Sequence, residues 1–203
     1  MHEETEQPFD PLDYVNIART VVEGLLRRPL QKLGEIPAFF GAGIYAIYYT
    51  GPFTCYRRIA ERPGEIPIYV GKAVPPGARK GGEGLAPLRT MALSNRLKQH
   101  GRSLGQAENL QVQHFLCRYL VVEPVWIRLA EQVLVERFRP LWNCVVDGFG
   151  NHPPGRGRSS MRRPRWDIVH PGRPWALELA QRGTVEDIME QVRAHLDSWS
   201  GFD

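Results

Sequence analysis

The spacing of hydrophobic positions along the chain predicts alternating helices and strands. Apolar residues recur at helical spacing after Asp10-Pro11, through 94–104, after Pro124, and after the capping-box sequence Thr184-Val185-Glu186-Asp187. Runs rich in Ile, Val and Tyr at 43–49, 66–70 and 112–122 are typical of strands bounded by Gly and Pro. We expect the first helix to end near Arg28, Ser94 to cap the second, and the third to end near Pro140. The pattern predicts an α+β protein.

Two segments, 73–93 and 147–175, show neither the helical nor the strand spacing of apolar residues. The second contains five glycines, five prolines and six arginines. Loops this long inside a compact domain are usually functional or disordered. Because Phe149, Trp166 and Trp175 are scattered through it, we expect an ordered binding loop.

Charge is unevenly distributed along the chain, although the net value is only +4. Residues 37–100 carry nine bases and three acids, and residues 151–175 carry six bases and one acid, whereas both ends are acidic. A polyanion is the expected partner of such a middle region, because neutralised phosphates release counterions. Charge alone leaves a solvated basic face as an equal alternative.

The remaining composition narrows the class of protein. A chain of 203 residues with 42% hydrophobic residues can bury a core as one domain, 1–203. Its apolar stretches are too short for a membrane span. Cys55, Cys117 and Cys144 include no CxxC pair, which argues against a zinc ribbon or disulfide scaffold. We expect small buried thiols, and a cytoplasmic location.

Five separated stretches suggest one active site. They are Gly43-Ile44-Tyr45, Tyr69-Val70-Gly71, Arg96 with His100, Glu131, and Asn143. In this order they resemble a GIY-YIG nuclease, and the runs 41–51, 66–74 and 141–150 resemble the type II restriction endonucleases of that superfamily. The resemblance implies a GIY-YIG core with a small, mainly antiparallel three-stranded sheet flanked by helices. It also implies phosphodiester cleavage by the two tyrosines, the arginine, a metal-binding glutamate and the asparagine.

The resemblance also suggests how the chain is divided. We expect an N-terminal helical extension (1–40), a catalytic core (41–146), a basic DNA-reading loop (147–175) and a C-terminal helix (176–203). An insert at 50–67, with Arg57, Arg58 and Arg62, is expected to contact DNA or a second subunit.

Glu131 is the candidate metal ligand. It falls within the apolar stripe of the helix after Pro124, where a carboxylate is costly unless it is paired or bound to a cation. The structural alternative is an ion pair with Arg96 or Arg118. Hard oxygen ligation together with a substrate phosphate favours a single Mg²⁺, with Mn²⁺ as a substitute.

Arg96 and His100 lie four residues apart and therefore share one helix face. Arg96 is expected to hold a nonbridging phosphate oxygen, whereas Lys98 and Gln99 are expected to point into solvent. The general base stays open between Tyr45, the family's position, and His100, whose ordinary pKa suits the role better. A relay is the compromise, in which Tyr45 contacts the water and His100 takes the proton.

Three other residues complete the predicted site. Tyr69 is expected to orient the water or the phosphate. Lys72, directly after Gly71, is expected to add positive charge at the phosphate, with a solvated lysine as the alternative. Asn143 resembles the family asparagine that lies near the scissile phosphate, although loop asparagines more often cap turns.

Double-stranded DNA is the expected partner. Base-reading side chains are predicted in the loop 151–165, where arginines cluster among glycines and prolines: Arg156, Arg158, Arg162, Arg163 and Arg165. Their two-donor forks match guanine O6 and N7. Members of the resembled group read CCGCGG, and we carry this over as an expectation. A palindrome implies a homodimer on DNA, and the family resemblance alone implies a companion methyltransferase.

Two other functions remain open. One is a structure-selective repair or recombination nuclease of the same superfamily, although the chain shows no helix-hairpin-helix or zinc module. The other is a non-catalytic DNA-binding protein on the same scaffold. Against it stands the presence of both tyrosines together with Arg96, Glu131 and Asn143.

Overall fold

The computed structural model describes residues 14–75, 90–153 and 161–198. Within them, one antiparallel sheet has four strands in the order β1–β4–β2–β3. They are β1 (Gln31–Lys32), β2 (Gly43–Tyr49), β3 (Tyr69–Ala73) and β4 (Phe115–Val121). The expected number of three strands was wrong. The fourth strand, β1, has only two residues and is too short to be predicted from the spacing of apolar positions.

The α+β class and the strand at 43–49 are confirmed, whereas the other two strands start later than predicted. β3 begins at Tyr69, and the preceding Ile66 and Ile68 are buried in the core without belonging to the strand. A short 3₁₀ turn, Val112–His114, replaces the predicted start of β4.

Eight helices lie in the described residues. They are α1 (Tyr14–Leu26), α2 (Arg57–Ala60), α3 (Ala92–Gln106), α4 (Pro124–Phe138), α5 (Leu141–Cys144), α6 (Arg165–Val169), α7 (Pro174–Leu177) and α8 (Val185–Ser198). The start of α4 at Pro124 and the capping box before α8 are confirmed, since Thr184 and Asp187 exchange two hydrogen bonds of 3.1 Å. The predicted serine cap is wrong: α3 begins at Ala92, and Ser94 Oγ bonds the carbonyl of Phe39 at 2.9 Å.

The central strand β2 is buried on both faces and separates two hydrophobic cores. Because side chains alternate along a strand, Ile44, Ala46 and Tyr48 face one core while Tyr45 and Ile47 face the other. Buried residues of α1 and α4 fill the first core, and buried residues of α3, α5, α6 and α8 fill the second. β3 is an edge strand, so side chains on either face of the sheet can meet beside it.

The segment 147–175, predicted to be an ordered binding loop, is partly helical in its described residues. It contains α6 and the start of α7, and residues 154–160 within it lie outside the described part. Trp166, Ile168 and Val169 are buried in the second core, so burial of apolar side chains stabilises what composition alone marks as a loop.

The three cysteines are unpaired. Cys117 is buried as expected, Cys55 is partly buried, and Cys144 is exposed, which contradicts the prediction for that residue. No helix in the described ranges combines the length and the apolarity needed to cross a membrane.

Candidate active site

The predicted catalytic residues converge around the edge strand β3. Tyr45 on β2 pairs with Gly71 on β3 in the antiparallel register. A Cβ added at Gly71 would lie 2.4 Å from Tyr45 Oη, so only glycine leaves room for the phenol. The glycine after Tyr69-Val70 therefore has a steric role in the site.

Tyr45 and His100 form a buried hydrogen-bonded pair. Tyr45 Oη lies 2.6 Å from His100 Nε2, and neither side chain has more than 1% of its surface exposed. The Tyr69 ring packs edge-on against the His100 ring, with centroids 5.3 Å apart, and Phe149 stacks on His100 at 4.5 Å. The relay predicted between Tyr45 and His100 has the required hydrogen bond.

Burial keeps both members of this pair neutral. It raises the pKa of Tyr45 well above the ordinary value, assisted by Tyr69 and opposed by the charge of Arg96. The pKa of Tyr69 is also raised, chiefly by burial, while Arg96 again lowers it. The pKa of His100 is lowered well below its usual value by burial and then by the charges of Arg96, His152 and Arg173. The imidazole is therefore a neutral group at neutral pH.

Arg96 projects from α3 and is held by the chain that follows α5. Its Nη2 donates to the carbonyl of Gly150 at 2.8 Å, and its Nη1 lies 2.8 Å from His152 Nε2 and 3.0 Å from Gln99 Oε1. Gln99 also contacts His152 at 2.6 Å, so the prediction that Gln99 points into solvent was wrong. The guanidinium is oriented by several acceptors at once.

Glu131 on α4 forms an ion pair with Lys72 on β3. The structural alternative for Glu131 was a pair with Arg96 or Arg118, and the actual partner is the lysine. Arg118 instead bonds to Tyr48 Oη at 3.0 Å and to backbone carbonyls. Both members of the pair are partly exposed, with 20% of the Glu131 side chain accessible. The positive charge beside the Glu131 carboxylate is therefore the ammonium of Lys72.

Asn143 lies on the short helix α5 and fastens it to β3. Its Oδ1 accepts from the Val70 N–H and its Nδ2 donates to the Val70 carbonyl, both at 2.9 Å. These two bonds continue the ladder of the edge strand onto a side chain. Asn143 thus fixes the backbone between Tyr69 and Gly71, the middle of the second motif.

An open cleft of about 770 Å³ adjoins these residues. Its walls include four basic side chains, Lys72, Arg96, Arg102 and Arg128, together with Gln99 and His152. Lys72 comes from the face of β3 that carries Val70, and Arg96 lies beside the tyrosines on the other face. The cleft therefore joins the two faces of the sheet at its edge.

The predicted DNA-reading arginines differ in their surroundings. Arg156 and Arg158 lie outside the described residues. Arg162 is exposed beside a second cleft of about 670 Å³. Arg163 donates to the carbonyls of Ala176 and Leu177 and to Gln181, whereas Arg165 donates to Gln191 at 2.7 Å.

The arginines of the 50–67 insert form ion pairs within the chain. Arg57 pairs with Glu61, Arg58 with Asp197 and Arg62 with Glu65.

Sequence patterns missed the residues that support Arg96. Gly150, His152 and the buried Arg173 all lie in or beside the irregular 147–175 segment, where no periodicity marks an inward-facing position. The aromatic content of that segment was the one available signal, and it indicated order without indicating a catalytic contact.

Two tyrosines beside an arginine, with a helix-borne glutamate and an asparagine on the second motif, define the GIY-YIG class of nucleases. A protein-family model described as the Eco29kI GIY-YIG domain matches residues 37–196. The chain therefore belongs to this family of GIY-YIG restriction endonucleases, and it is a nuclease that acts on DNA. A comparison with curated proteins found no match.

Proposed function

We propose that this protein is a type II restriction endonuclease that hydrolyses double-stranded DNA at a short GC-rich palindrome, CCGCGG, with Mg²⁺. The observation that carries the proposal is the convergence of Tyr45, Tyr69, Arg96 and His100 on one face of the edge strand and of Lys72 and Glu131 on the other. The adjoining cleft supplies positive charge for a phosphate backbone.

The donor set at Glu131 fits a magnesium ion. No cluster of three or more His, Cys, Asp or Glu side chains suited to a metal occurs in 14–75, 90–153 or 161–198. Mg²⁺ commonly takes one or two protein carboxylates and completes its shell with waters and substrate phosphates. The ammonium of Lys72, which pairs with this carboxylate, would move aside when the ion binds. When bound, Mg²⁺ would neutralise charge on the phosphoryl oxygens.

The side chains of the site divide the remaining work. Arg96 would donate to a nonbridging oxygen as negative charge builds in the transition state. Lys72 would add a second positive charge once it leaves Glu131. Tyr69, packed edge-on against both His100 and Phe149, would orient the attacking water. Asn143 positions Tyr69 and Gly71 through the backbone of Val70.

The proton of the attacking water would pass inward. As the water oxygen bonds to phosphorus, its proton moves to Tyr45 Oη while the Tyr45 proton moves to His100 Nε2. The bond from phosphorus to the departing oxygen then breaks, and that oxygen takes a proton from solvent water. A neutral, buried His100 supports this route, since its Nε2 lies 2.6 Å from the phenol oxygen. A phenol with a raised pKa needs such an acceptor to act at neutral pH.

Base recognition would come from arginines of the 151–165 loop, and two protomers would bind the two halves of the palindrome. Among the described members, Arg162 is exposed and suited to contact a base or a phosphate, whereas the bonds of Arg163 to two carbonyls favour a structural role. Arg162→Ala should lower discrimination by about 1–3 kcal/mol if it reads a guanine. A contact to phosphate would instead weaken binding to all sequences alike.

Digestion of a plasmid of known sequence tests the function. Purified protein with Mg²⁺ should give discrete fragments whose mapped ends all lie at CCGCGG, and no cleavage with EDTA. Smears, or nicks confined to branched junctions, would contradict restriction and favour the structure-selective alternative. Sedimentation and footprinting on a cognate duplex should show two protomers in a symmetric footprint.

A further inference from the structure

The guanidinium of Arg173 is almost completely buried and holds a stretch of backbone. Arg173 is 1% exposed and pairs with both oxygens of the equally buried Asp167. Its Nη1 and Nη2 each lie 3.0 Å from a carbonyl, those of Phe149 and Gly148, and Nη1 lies 3.3 Å from the carbonyl of Asn151.

Two indole rings complete the surroundings of this guanidinium. The Trp166 and Trp175 centroids lie 4.6 and 4.8 Å from Arg173 Cζ. The Arg173 guanidinium therefore bonds three of the four carbonyls of the segment 148–151. Arginine suits this position because its planar fork presents five donors, whereas a lysine is a point charge with three.

The fixed segment forms one wall of the active site. Gly150 supplies the carbonyl that accepts from Arg96 Nη2, His152 contacts Arg96 Nη1, and Phe149 stacks on His100. The wall is tight: a Cβ added at Gly150 would lie 2.9 Å from Arg96 Nη2. A shift of this segment would therefore move Arg96.

We propose that Arg173 is a positioning residue for Arg96: it sets the orientation of the catalytic guanidinium through the backbone of 148–152. The inference rests on the proposed cleavage reaction. Arg173 lies behind the wall, in contact with Asp167 and the backbone, so it acts without touching the substrate. Its loss removes the guanidinium donors from the carbonyls of Gly148, Phe149 and Asn151, so the Gly150 carbonyl that accepts from Arg96 is no longer held in place.

The test is a double-mutant cycle between positions 173 and 96. Arg173→Lys should lower kcat by up to about 100-fold, the cost of misplacing a catalytic group by roughly 1 Å. The Kd for a cognate duplex, measured with Ca²⁺ in place of Mg²⁺, should change little. When Arg173→Lys is added to Arg96→Ala, kcat should fall by no more than about a further twofold, because the effects of coupled residues are not additive.

Arg118→Lys is the matched control. Arg118 also holds two backbone carbonyls, those of Arg28 and Gly64, and it contacts none of the site residues. Its replacement should also lower thermal stability, while leaving the effect of Arg96→Ala unchanged. Multiplicative losses of Arg173→Lys and Arg96→Ala, or the same non-additivity with Arg118→Lys, would overturn the proposal.

A second measurement is independent of cleavage. The Nε–Hε resonance of Arg96 in an NMR spectrum, assigned by its loss in Arg96→Ala, should shift in Arg173→Lys and stay in place in Arg118→Lys. An unmoved Arg96 resonance in folded Arg173→Lys refutes the proposal, even if the wild-type protein cuts no DNA and the proposed function fails. If Arg173→Lys does not fold, Trp175→Leu, which loosens the same guanidinium, decides by the same spectrum.

Discussion

Two buried tyrosine–histidine pairs in this protein have nearly the same geometry and very different surroundings. Tyr45 Oη lies 2.6 Å from His100 Nε2, and Tyr56 Oη lies 2.7 Å from His170 Nε2. Both histidines are buried, and burial lowers the pKa of each, that of His170 to about 3. Burial also raises the pKa of both phenols.

The second pair is enclosed by groups that cannot change charge at neutral pH. Phe53, Trp142 and Trp166 pack around His170, and Asn109 fixes its tautomer. Since Asn109 Nδ2 donates to the Val169 carbonyl at 2.9 Å, Asn109 Oδ1 faces His170 Nδ1 at 2.8 Å and accepts a hydrogen bond from its N–H. His170 Nε2 then accepts from Tyr56, and the arrangement is static.

The first pair lies next to charged residues at the edge of the sheet. The charge of Arg96 lowers the pKa of Tyr45 and His100 alike, and Glu131 acts on the pKa of Tyr45 in the opposite direction. A tyrosine–histidine hydrogen bond is thus a packing element in one core and a candidate proton route in the other. The neighbouring charges and the open cleft make the difference.

The largest expected effect comes from removing the carboxylate beside the first pair. Glu131→Gln keeps the size of the side chain and removes the charge that would hold Mg²⁺. Cleavage should fall at least about a thousand-fold, because metal stabilisation of the transition state amounts to several kcal/mol. Gel shift should show DNA binding retained. Glu136→Gln, an exposed position on the same helix, is the control, and continued cutting by Glu131→Gln would remove the metal assignment.

The two phenols allow a direct comparison of chemistry and packing. Tyr45→Phe and Tyr56→Phe each remove one hydroxyl from a buried hydrogen bond, so each should lower the free energy of unfolding by about 1–3 kcal/mol. Only Tyr45→Phe should lower kcat, by roughly 10²–10⁴-fold, as expected for loss of acid–base catalysis. Single-turnover rates and urea unfolding measure the two quantities. Normal cleavage by Tyr45→Phe would make that phenol a packing residue and His100 the leading base.

The pH dependence of cleavage should reflect the lowered pKa of His100. Once protonated, the imidazole cannot accept the Tyr45 proton, so activity is lost as pH falls through the pKa of His100. Because burial and Arg96 lower that pKa, the acid limb of kcat should lie below pH 6.5. His100→Ala should reduce activity and abolish this limb while the protein stays folded. A limb at or above pH 6.5, or one unchanged in His100→Ala, would exclude His100 as the proton acceptor.

The smallest effect on cleavage is expected at His170, where stability should respond instead. The folded pKa is about 3, against roughly 6.5 in the unfolded chain, so the unfolded state binds the proton first. The free energy of unfolding should therefore fall between pH 6.5 and 3, with His170 contributing up to about 1.4 kcal/mol per pH unit. His170→Gln should flatten this slope and leave cleavage at neutral pH within about twofold. An unchanged slope would show that this histidine is not buried neutral.

The sequence by itself determined the order of the catalytic motifs, the central strand, and the long helices. The seven buried positions of β2 and the start of α4 at Pro124 follow from the local apolar pattern and from the backbone preference of proline. Both depend only on residues that are close together in the sequence. The family could be recognised from the sequence because it depends only on residue types and their order. The residues concerned are Tyr45, Tyr69, Arg96, Glu131 and Asn143.

Only the tertiary structure decided which of these residues meet and in what electrostatic state. Glu131 and Lys72, which form an ion pair, are 59 positions apart in the sequence. Asn143 and Val70, which are hydrogen-bonded, are 73 positions apart. Such contacts depend on how the helices pack around an edge strand. The same packing buries Arg173 behind the 148–152 backbone and distinguishes His100 from His170, because burial and nearby charge set a pKa. No periodicity records either quantity.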